Sequence, residues 1–84
     1  MQYILCVFTA RKDAYQLYDY LQMRGVACKI VNTPREVSAS CGIALQATTV
    51  GYGQTILSAQ SLRSYVATYL VTDGGWKREY KRID

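Results

Sequence analysis

The chain opens with a segment that is apolar at almost every position. Residues 2–8, QYILCVF, are β-branched or aromatic with hardly a polar position, which is typical of a central β-strand covered on both faces. In the next segment apolar residues recur at helical spacing: Ala14, Leu17, Tyr18 and Leu21. Thr9 is a possible N-cap and Gly25 a left-handed C-cap, so we predict a helix over residues 10–24.

The middle of the chain predicts two more strands with a turn between them. VACKIVN, residues 26–32, alternates so that Val26, Cys28 and Ile30 share one face. GIALQAT, residues 42–48, does the same with Ile43, Leu45 and Ala47. Between them Thr33, Pro34 and Glu36 form a capping box with proline at the first helical position. We therefore predict a short helical turn at residues 34–38.

The last part of the chain predicts a loop, a long helix and a final strand. TVGYGQT forms the loop, and a helix over about 54–72 follows. Its apolar stripe consists of Ile56, Ala59, Leu62, Val66, Tyr69 and Leu70. The residues DGG end that helix, and WKREYKRI is the last strand, with Trp76 and Tyr80 on one face.

This order of elements predicts an α+β fold. A βαββαβ chain without linker or repeat most simply makes a ferredoxin-like sandwich, with a four-stranded antiparallel sheet and both helices on one face. We expect residues 1–84 to form a single domain. In this topology the end of strand one, the start of helix one, the capped turn and the start of strand three meet at one edge.

Composition narrows the classes of function. No apolar run approaches the roughly 20 residues that a membrane-spanning helix needs, and no basic segment precedes YILCVF. We therefore expect a cytoplasmic protein with no membrane partner. The chain has no histidine and its cysteines are 22 and 13 positions apart, so we expect no histidine-assisted catalysis and no metal site. We also expect no cofactor. The net charge is +4, and four of the ten basic residues lie in the C-terminal WKREYKRID, which favours either an acidic partner surface or no specific partner.

The three cysteines differ in their surroundings. Cys6 lies in the most apolar strand and Cys28 on the core face of its strand, so we expect both to be small core residues. Cys41 lies in a polar turn between Ser40 and Gly42, where glycine lets the backbone bend. The local sequence leaves two interpretations of Cys41 open: it is a reactive thiol, or it is a cysteine that begins a strand.

The predicted topology gives Cys41 a cationic environment. If the third strand is regular back to residue 41, the thiol points toward the N-terminus of helix one, whose amides carry partial positive charge. Arg11 and Lys12 are close by in sequence, and Arg35 arrives from the capped turn. Such surroundings lower the pKa of a thiol. A disulfide to Cys6 is implausible, because Cys6 lies about 10 Å away along the neighbouring strand.

The motif PREVSASCG, residues 34–42, resembles a known family. Together with YILCVF and the strand after Gly25, it is similar to the selenium/sulfur carrier-like family of small bacterial domains. The likeness is close over about the first half of the chain and covers the second half only in outline. TTVGYGQT departs from the pattern, because it lacks the acidic residues of relatives.

The resemblance implies a carrier rather than an enzyme. A zero-valent sulfur or selenium atom would be held on Cys41 as a persulfide or selenopersulfide and passed to a partner protein. Donors and acceptors such as a cysteine desulfurase or selenophosphate synthetase are the implied partners. Arg11, Lys12 and Arg35 would stabilise the anion, and Ser38 and Ser40 would donate hydrogen bonds to it. Solvated surface and turn chemistry is the alternative reading of these side chains.

A non-enzymatic regulatory or ligand-binding module of the same fold is the alternative function. VGYGQT before a helix could hold an anion on free amides, although a flexible turn also explains it. We do not expect nucleic-acid binding, because Gln54 and Thr55 follow GYG where an RNA-recognition strand needs aromatic residues. We expect a homodimer through the uncovered sheet face, where Tyr3, Leu5 and Val7 lie beside Trp76 or Tyr80.

Overall fold

A computed structural model describes residues 1–37 and 42–84 of the chain, so the predictions for Ser38, Ser40 and Cys41 lie outside the described residues. The elements are β1 (Gln2–Phe8), α1 (Arg11–Met23), β2 (Cys28–Asn32), β3 (Ile43–Ala47), α2 (Tyr52–Gln60), β4 (Tyr65–Asp73) and β5 (Arg78–Arg82). The first strand, first helix and the next two strands are confirmed, with differences of one or two residues at most ends.

One antiparallel sheet contains all five strands in the order β2-β3-β1-β4-β5. β1 lies at its centre, where Ile4 is opposite Ala47 of β3 on one side and opposite Leu70 of β4 on the other. The class is therefore α+β, and the first four strands are compatible with the predicted ferredoxin-like order. The prediction of four strands is wrong, because β5 pairs with β4 as an additional edge strand.

The predicted helix over 54–72 is wrong in its second half. α2 ends at Gln60, and residues 65–73, YVATYLVTD, form β4 against β1. These residues satisfy helical spacing, but they are mostly β-branched or aromatic, and pairing with the central strand overrides the helical period. In β4, Leu70 faces the helices, whereas Tyr69 and Val71 pack on the opposite side of the sheet.

The DGG segment is a hairpin turn between β4 and β5 rather than the end of a helix. Gly75 adopts a φ of 95°, which favours glycine, and its N–H donates to Asp73 Oδ1 at 2.9 Å. The turn places Trp76 outside β5 with 90% of its surface exposed. The prediction that Trp76 and Tyr80 share a strand face is therefore wrong.

Both helices pack on one face of the sheet, as predicted. The buried cluster there combines residues from β1, β3 and the two helices: Ile4, Cys6, Phe8, Ala14, Leu17, Leu21, Ile43, Leu45, Ala47 and Ala59. α1 ends as predicted at Gly25, which has a φ of 74°, and Val26 N–H donates to the Leu21 carbonyl at 2.9 Å. Within the described chain, neither helix is long and apolar enough to cross a membrane.

The opposite face of the sheet is also buried, although neither helix packs there. Leu5, Val7, Ala44 and Val71 form its centre, and Tyr3, Val31, Val37, Tyr69 and Tyr80 pack around them. Leu5 is only 2% exposed and Val7 only 3%. The expectation that these residues present a bare apolar surface is wrong. The homodimer inferred from that surface stays a prediction without this support.

The segment after β2 begins with a turn, but the predicted capping box is not formed within the described residues. Val37 N–H donates to the Pro34 carbonyl at 3.0 Å, which closes a single turn. The Thr33 hydroxyl is buried and has no hydrogen-bond partner among the described residues. The N-cap of α1 is likewise Ala10 rather than the predicted Thr9. The backbone N–H groups of Thr33 and Thr9 donate to the carbonyls of Gly42 and Ser64, which precede β3 and β4.

Candidate functional site

Four chain segments meet at the end of the sheet where β1 finishes. Phe8 is opposite Ile43 of β3 and Tyr65 of β4. Just beyond these pairs, Thr33 N–H donates to the Gly42 carbonyl at 3.3 Å, and Thr9 N–H donates to the Ser64 carbonyl at 3.0 Å. We call residues 9–13, 33–37, 42 and 63–64 the motif end, because they include or adjoin the described residues of the PREVSASCG segment. The convergence of the first three segments agrees with the topology predicted from the sequence, whereas residues 63–64 were predicted to lie inside a helix.

Three of the predicted site residues lie at the motif end as exposed cations. Arg11 and Lys12 are the first two residues of α1, and Arg35 lies in the turn closed by Val37. Among residues 1–37 and 42–84, none of the three makes an ion pair. Cys41 is outside the described residues, so the cationic surroundings of its thiol stay a prediction.

Gly42 is held closely between two neighbouring segments. A Cβ atom at this position would lie 3.0 Å from the Phe8 carbonyl oxygen and 3.3 Å from Thr33 Oγ1. Contacts this short require the neighbouring atoms to move by a few tenths of an ångström, which a backbone oxygen does less easily than a flexible side chain. Because glycine has no Cβ atom, Gly42 can pack closely against the end of β1. This close packing explains the glycine at position 42 in addition to the backbone bend expected from the sequence.

A buried carboxylate fixes the turn between α2 and β4 at the motif end. Asp13 of α1 is only 6% exposed and accepts a 2.9 Å hydrogen bond from the Ser64 N–H. The Ser64 hydroxyl lies near the same carboxylate but does not form a hydrogen bond with it. The partial positive charges of this hydroxyl and of the Ser64 N–H favour the ionised carboxylate, so the pKa of Asp13 is lowered. Arg63, next in the chain and exposed, is thereby brought to the motif end.

Sequence reasoning missed Arg63 because it placed this residue inside a long helix. The segment SLRS, residues 61–64, has two serines around Leu62 and Arg63, and such small polar residues are typical of turns. That signal could have divided the predicted helix. The charge at the motif end therefore comprises one more arginine than the sequence analysis assigned to it.

Cys6 is a buried core residue, as predicted. It is fully buried on the helix side of β1, and the Thr68 hydroxyl donates to its sulfur at 3.5 Å. Burial raises the pKa of Cys6 to about 11. The Thr68 hydroxyl oxygen also lies 2.7 Å from the Tyr65 hydroxyl oxygen, and the Tyr65 hydroxyl donates to Asp84 at 2.9 Å. The Cys6 sulfur is thus the buried end of a row of polar groups that reaches the surface at Asp84.

Cys28 also packs on the helix side, but it is only partly buried. Desolvation raises its pKa, and a weak 3.8 Å hydrogen bond from the Gln22 amide acts in the opposite direction. Because the thiolate is the nucleophile, a raised pKa makes a thiol less reactive at neutral pH. Both described cysteines therefore have less thiolate at neutral pH than a free cysteine.

The basic C-terminal segment is largely neutralised by its own neighbours. Three of its four cations make ion pairs: Lys77 with Glu79 at 3.9 Å, Arg78 with Asp73 at 3.2 Å and Arg82 with Asp84 at 2.8 Å. Lys81 makes no ion pair with a described residue. Four positive and three negative charges leave a net charge of +1 on the β4–β5 hairpin. The structure therefore removes the main reason to expect an acidic partner at this segment.

Trp76 and Tyr80 do not form an exposed aromatic surface, and the acidic side chains of the described residues do not form a metal site. Trp76 projects from the hairpin, whereas Tyr80 is half-buried on the sheet and its hydroxyl is buried without a hydrogen-bond partner there. In residues 1–37 and 42–84 no three cysteine, aspartate or glutamate side chains lie together as metal ligands would. The motif end is consequently the candidate site.

The fold and this site define a small α+β protein with exposed cations around a cysteine-containing motif. A model of the family described as putative Se/S carrier protein-like matches residues 3–56, which are 54 of the 84 residues. The chain belongs to this family. The match includes all of PREVSASCG and ends inside α2, before β4 and β5. No curated protein matches the chain, and no solved structure matches it.

Proposed function

We propose that this protein carries a sulfur or selenium atom on Cys41 and transfers it to a partner protein. The observation that carries the proposal is the family match over residues 3–56, which contains the complete PREVSASCG motif. Residues 1–84 would act as one carrier domain. The protein itself would be a non-enzymatic participant, loaded by a donor such as a cysteine desulfurase and unloaded by an acceptor such as selenophosphate synthetase.

The burial and the raised pKa values of the other two cysteines support Cys41 as the carrier residue. Cys6 is fully buried with its pKa raised to about 11, and desolvation also raises the pKa of Cys28. A carrier thiol needs thiolate character and access to large partners. Cys41 is the remaining cysteine of the chain, and its sequence neighbour Gly42 lies at the motif end.

The motif end offers charges that suit a bound anion. Arg11 and Lys12 begin α1, where the unpaired backbone N–H groups of a helix carry partial positive charge. Arg35 lies in the turn that leads into the motif. In the proposed carrier these three cations stabilise the thiolate and the persulfide anion, and Ser38 and Ser40 donate hydrogen bonds to it.

Loading and unloading are both exchange reactions in which atoms and electrons balance. The Cys41 thiolate attacks the outer sulfur of a donor persulfide, R–S–SH. A bond forms between Cys41 Sγ and that sulfur, the donor S–S bond breaks, and the electron pair leaves on the donor thiolate, R–S⁻. The outer sulfur keeps its proton, so the product is Cys41–S–SH. An acceptor thiolate attacks this outer sulfur in the same way and regenerates the Cys41 thiolate.

Intact-protein mass spectrometry tests the proposal. The wild-type chain is incubated with a cysteine desulfurase and cysteine, or with a small selenopersulfide donor, R–S–SeH, whose outer selenium is transferred as R–S⁻ leaves, and we expect a mass increase of one sulfur or one selenium atom. Cys41→Ser should abolish the adduct, whereas Cys28→Ser, the matched control, should keep it. An adduct that persists in Cys41→Ser would overturn the assignment of the carrier residue.

The same experiment separates the proposal from the alternative of a regulatory or ligand-binding module. Such a module would remain unmodified with every donor, in the wild-type chain as in the Cys41→Ser variant. Thiol titration gives an independent measurement: a carrier Cys41 should be alkylated at pH 7 faster than a free cysteine, whose pKa is about 8.5.

A further inference from the structure

The motif end carries more positive than negative charge, and its cations come from three separate parts of the chain. Arg11 and Lys12 begin α1, Arg35 lies in the turn after β2, and Arg63 precedes β4; all four are exposed. In the described ranges 1–37 and 42–84 none of these four makes an ion pair. The side chains are therefore available to an external partner.

Four of the six acidic side chains of the chain are buried or ion-paired. Two acidic residues lie at the motif end: Asp13, which is buried and accepts the Ser64 N–H, and Glu36, which is exposed. Three of the others, Asp73, Glu79 and Asp84, form ion pairs within or beside the β4–β5 hairpin. Counting all six charged residues at the motif end leaves a net charge of +2 there, half of the net charge of the chain.

We propose that the motif end is a docking surface for an acidic patch on the protein that exchanges the sulfur or selenium atom, and that Arg63 is one of its contact residues. This inference rests on the proposed carrier function, because a partner thiol must approach the PREVSASCG segment. Complementary charge accelerates such encounters and orients the partners before exchange.

The position of Arg63 is set by a hydrogen-bond network rather than by a flexible loop. Its neighbour Ser64 donates to the buried Asp13 at 2.9 Å and accepts from Thr9 N–H at 3.0 Å. These two bonds join the α2–β4 turn to α1 and to the end of β1. A contact residue whose backbone is already fixed loses less conformational freedom when a partner binds.

A protein partner fits these charges better than nucleic acid does. Proteins whose nucleic-acid binding depends steeply on salt make roughly 6–10 phosphate contacts, more than these four cations can supply. The most exposed aromatic residue, Trp76, lies in the β4–β5 turn rather than among these cations. The proposed chemistry also transfers an atom between protein thiols, which brings two protein surfaces together.

A charge-reversal pair tests the docking surface. Arg63→Glu and Lys81→Glu each change the net charge of the chain from +4 to +2. Lys81 is an exposed residue of β5 that makes no ion pair with a described residue, so it is the matched control. Circular dichroism melts of both variants should match the wild type, because both side chains are exposed.

Binding is measured first, with an oligoglutamate peptide as the probe and the Cys41→Ser chain labelled for NMR. We expect shifts centred on Arg11, Arg35 and Arg63. Arg63→Glu should weaken binding about three- to tenfold and Lys81→Glu less than about twofold, in line with exposed charge pairs. Equal weakening by both variants, shifts centred on β5, or tighter binding of an oligouridine RNA or phosphatidylserine vesicles would overturn the proposal.

Loading kinetics distinguish a failure of docking from a failure of carriage. With a persulfidated cysteine desulfurase as donor, Arg63→Glu should slow loading about three- to tenfold. With a small persulfide donor it should load at the wild-type rate. If both donors load the variant at the wild-type rate, the docking proposal is wrong and carriage stands. If neither donor loads the wild-type chain, carriage is wrong, and the peptide titration still decides the docking surface.

Discussion

The buried face without helices can be tested at Leu5, which is 2% exposed at the centre of that face. Leu5→Ala removes roughly three methylene equivalents at about 0.8 kcal/mol each, and a residual cavity adds to this loss. We expect the free energy of unfolding to fall by about 3 kcal/mol. On an open sheet face the same change would cost less than about 1 kcal/mol, because the leucine would already contact water.

This loss is large for a chain of 84 residues. Domains of this size are stable by roughly 4–13 kcal/mol, and each kcal/mol shifts the melting temperature by about 4–8 °C. Leu5→Ala should therefore melt about 12–24 °C below the wild type. Urea unfolding should show a lower midpoint with an unchanged slope, since the fold is kept and only its stability changes.

The control is Val66→Ala, because Val66 also lies on a strand of the sheet but is 44% exposed. It should cost less than about 1 kcal/mol. If Leu5→Ala lowers the free energy of unfolding no more than Val66→Ala does, the face is open to solvent and is not the buried face described above. Sedimentation of the wild type at several concentrations then shows whether a second copy covers the face, as the predicted homodimer requires.

Two further predictions concern side chains with shifted pKa values. In Cys41→Ser, Cys6 should resist alkylation at pH 8 until the chain unfolds, because burial raises its pKa to about 11. Mass spectrometry after alkylation with and without urea measures this resistance. Rapid labelling of Cys6 in the folded chain would contradict the prediction. The folded-state pKa of Asp13 is lowered, so its stabilisation is present above its unfolded pKa of about 3.9 and is lost as pH falls through the lower folded value. Asp13→Asn should therefore have a smaller drop in urea midpoint between about pH 6 and about pH 3 than the wild type, and equal drops would contradict this assignment.

The first half of the fold could be predicted because its sequence signals agree with one another. QYILCVF is apolar on both faces of a central strand, and α1 combines helical spacing with Gly25 at its end. The second half could not be predicted by spacing alone, because YVATYLVTD satisfies the helical period as well as the alternation of a strand. Its pairing with β1, a contact between distant segments, decides the outcome.

The part of the candidate site that follows from the order of strands and helices could be predicted from the sequence. The meeting of β1, α1 and β3 at one end required only the order of elements, which placed Arg11 and Arg35 together. Arg63 could not be found in this way, because its position depends on where α2 ends and on the hydrogen bond between Asp13 and Ser64. The predicted role of Cys41 in carriage rests on its motif and on the family, and the loading experiment decides it.

The central position of β1 has a consequence for how the chain is made. β1 is synthesised first, yet Gln2 is opposite Thr72, a residue 70 positions later in the chain. Until β4 has left the ribosome, the apolar residues of β1 lack one of their two neighbouring strands, and exposed apolar strands of this kind are prone to aggregate. The pairing of β1 with β4, and with it the joining of Ser64 to Thr9, therefore forms only after β4 has been synthesised. A nascent chain that has already produced Cys41 does not yet have the end of the sheet at which that cysteine is proposed to work.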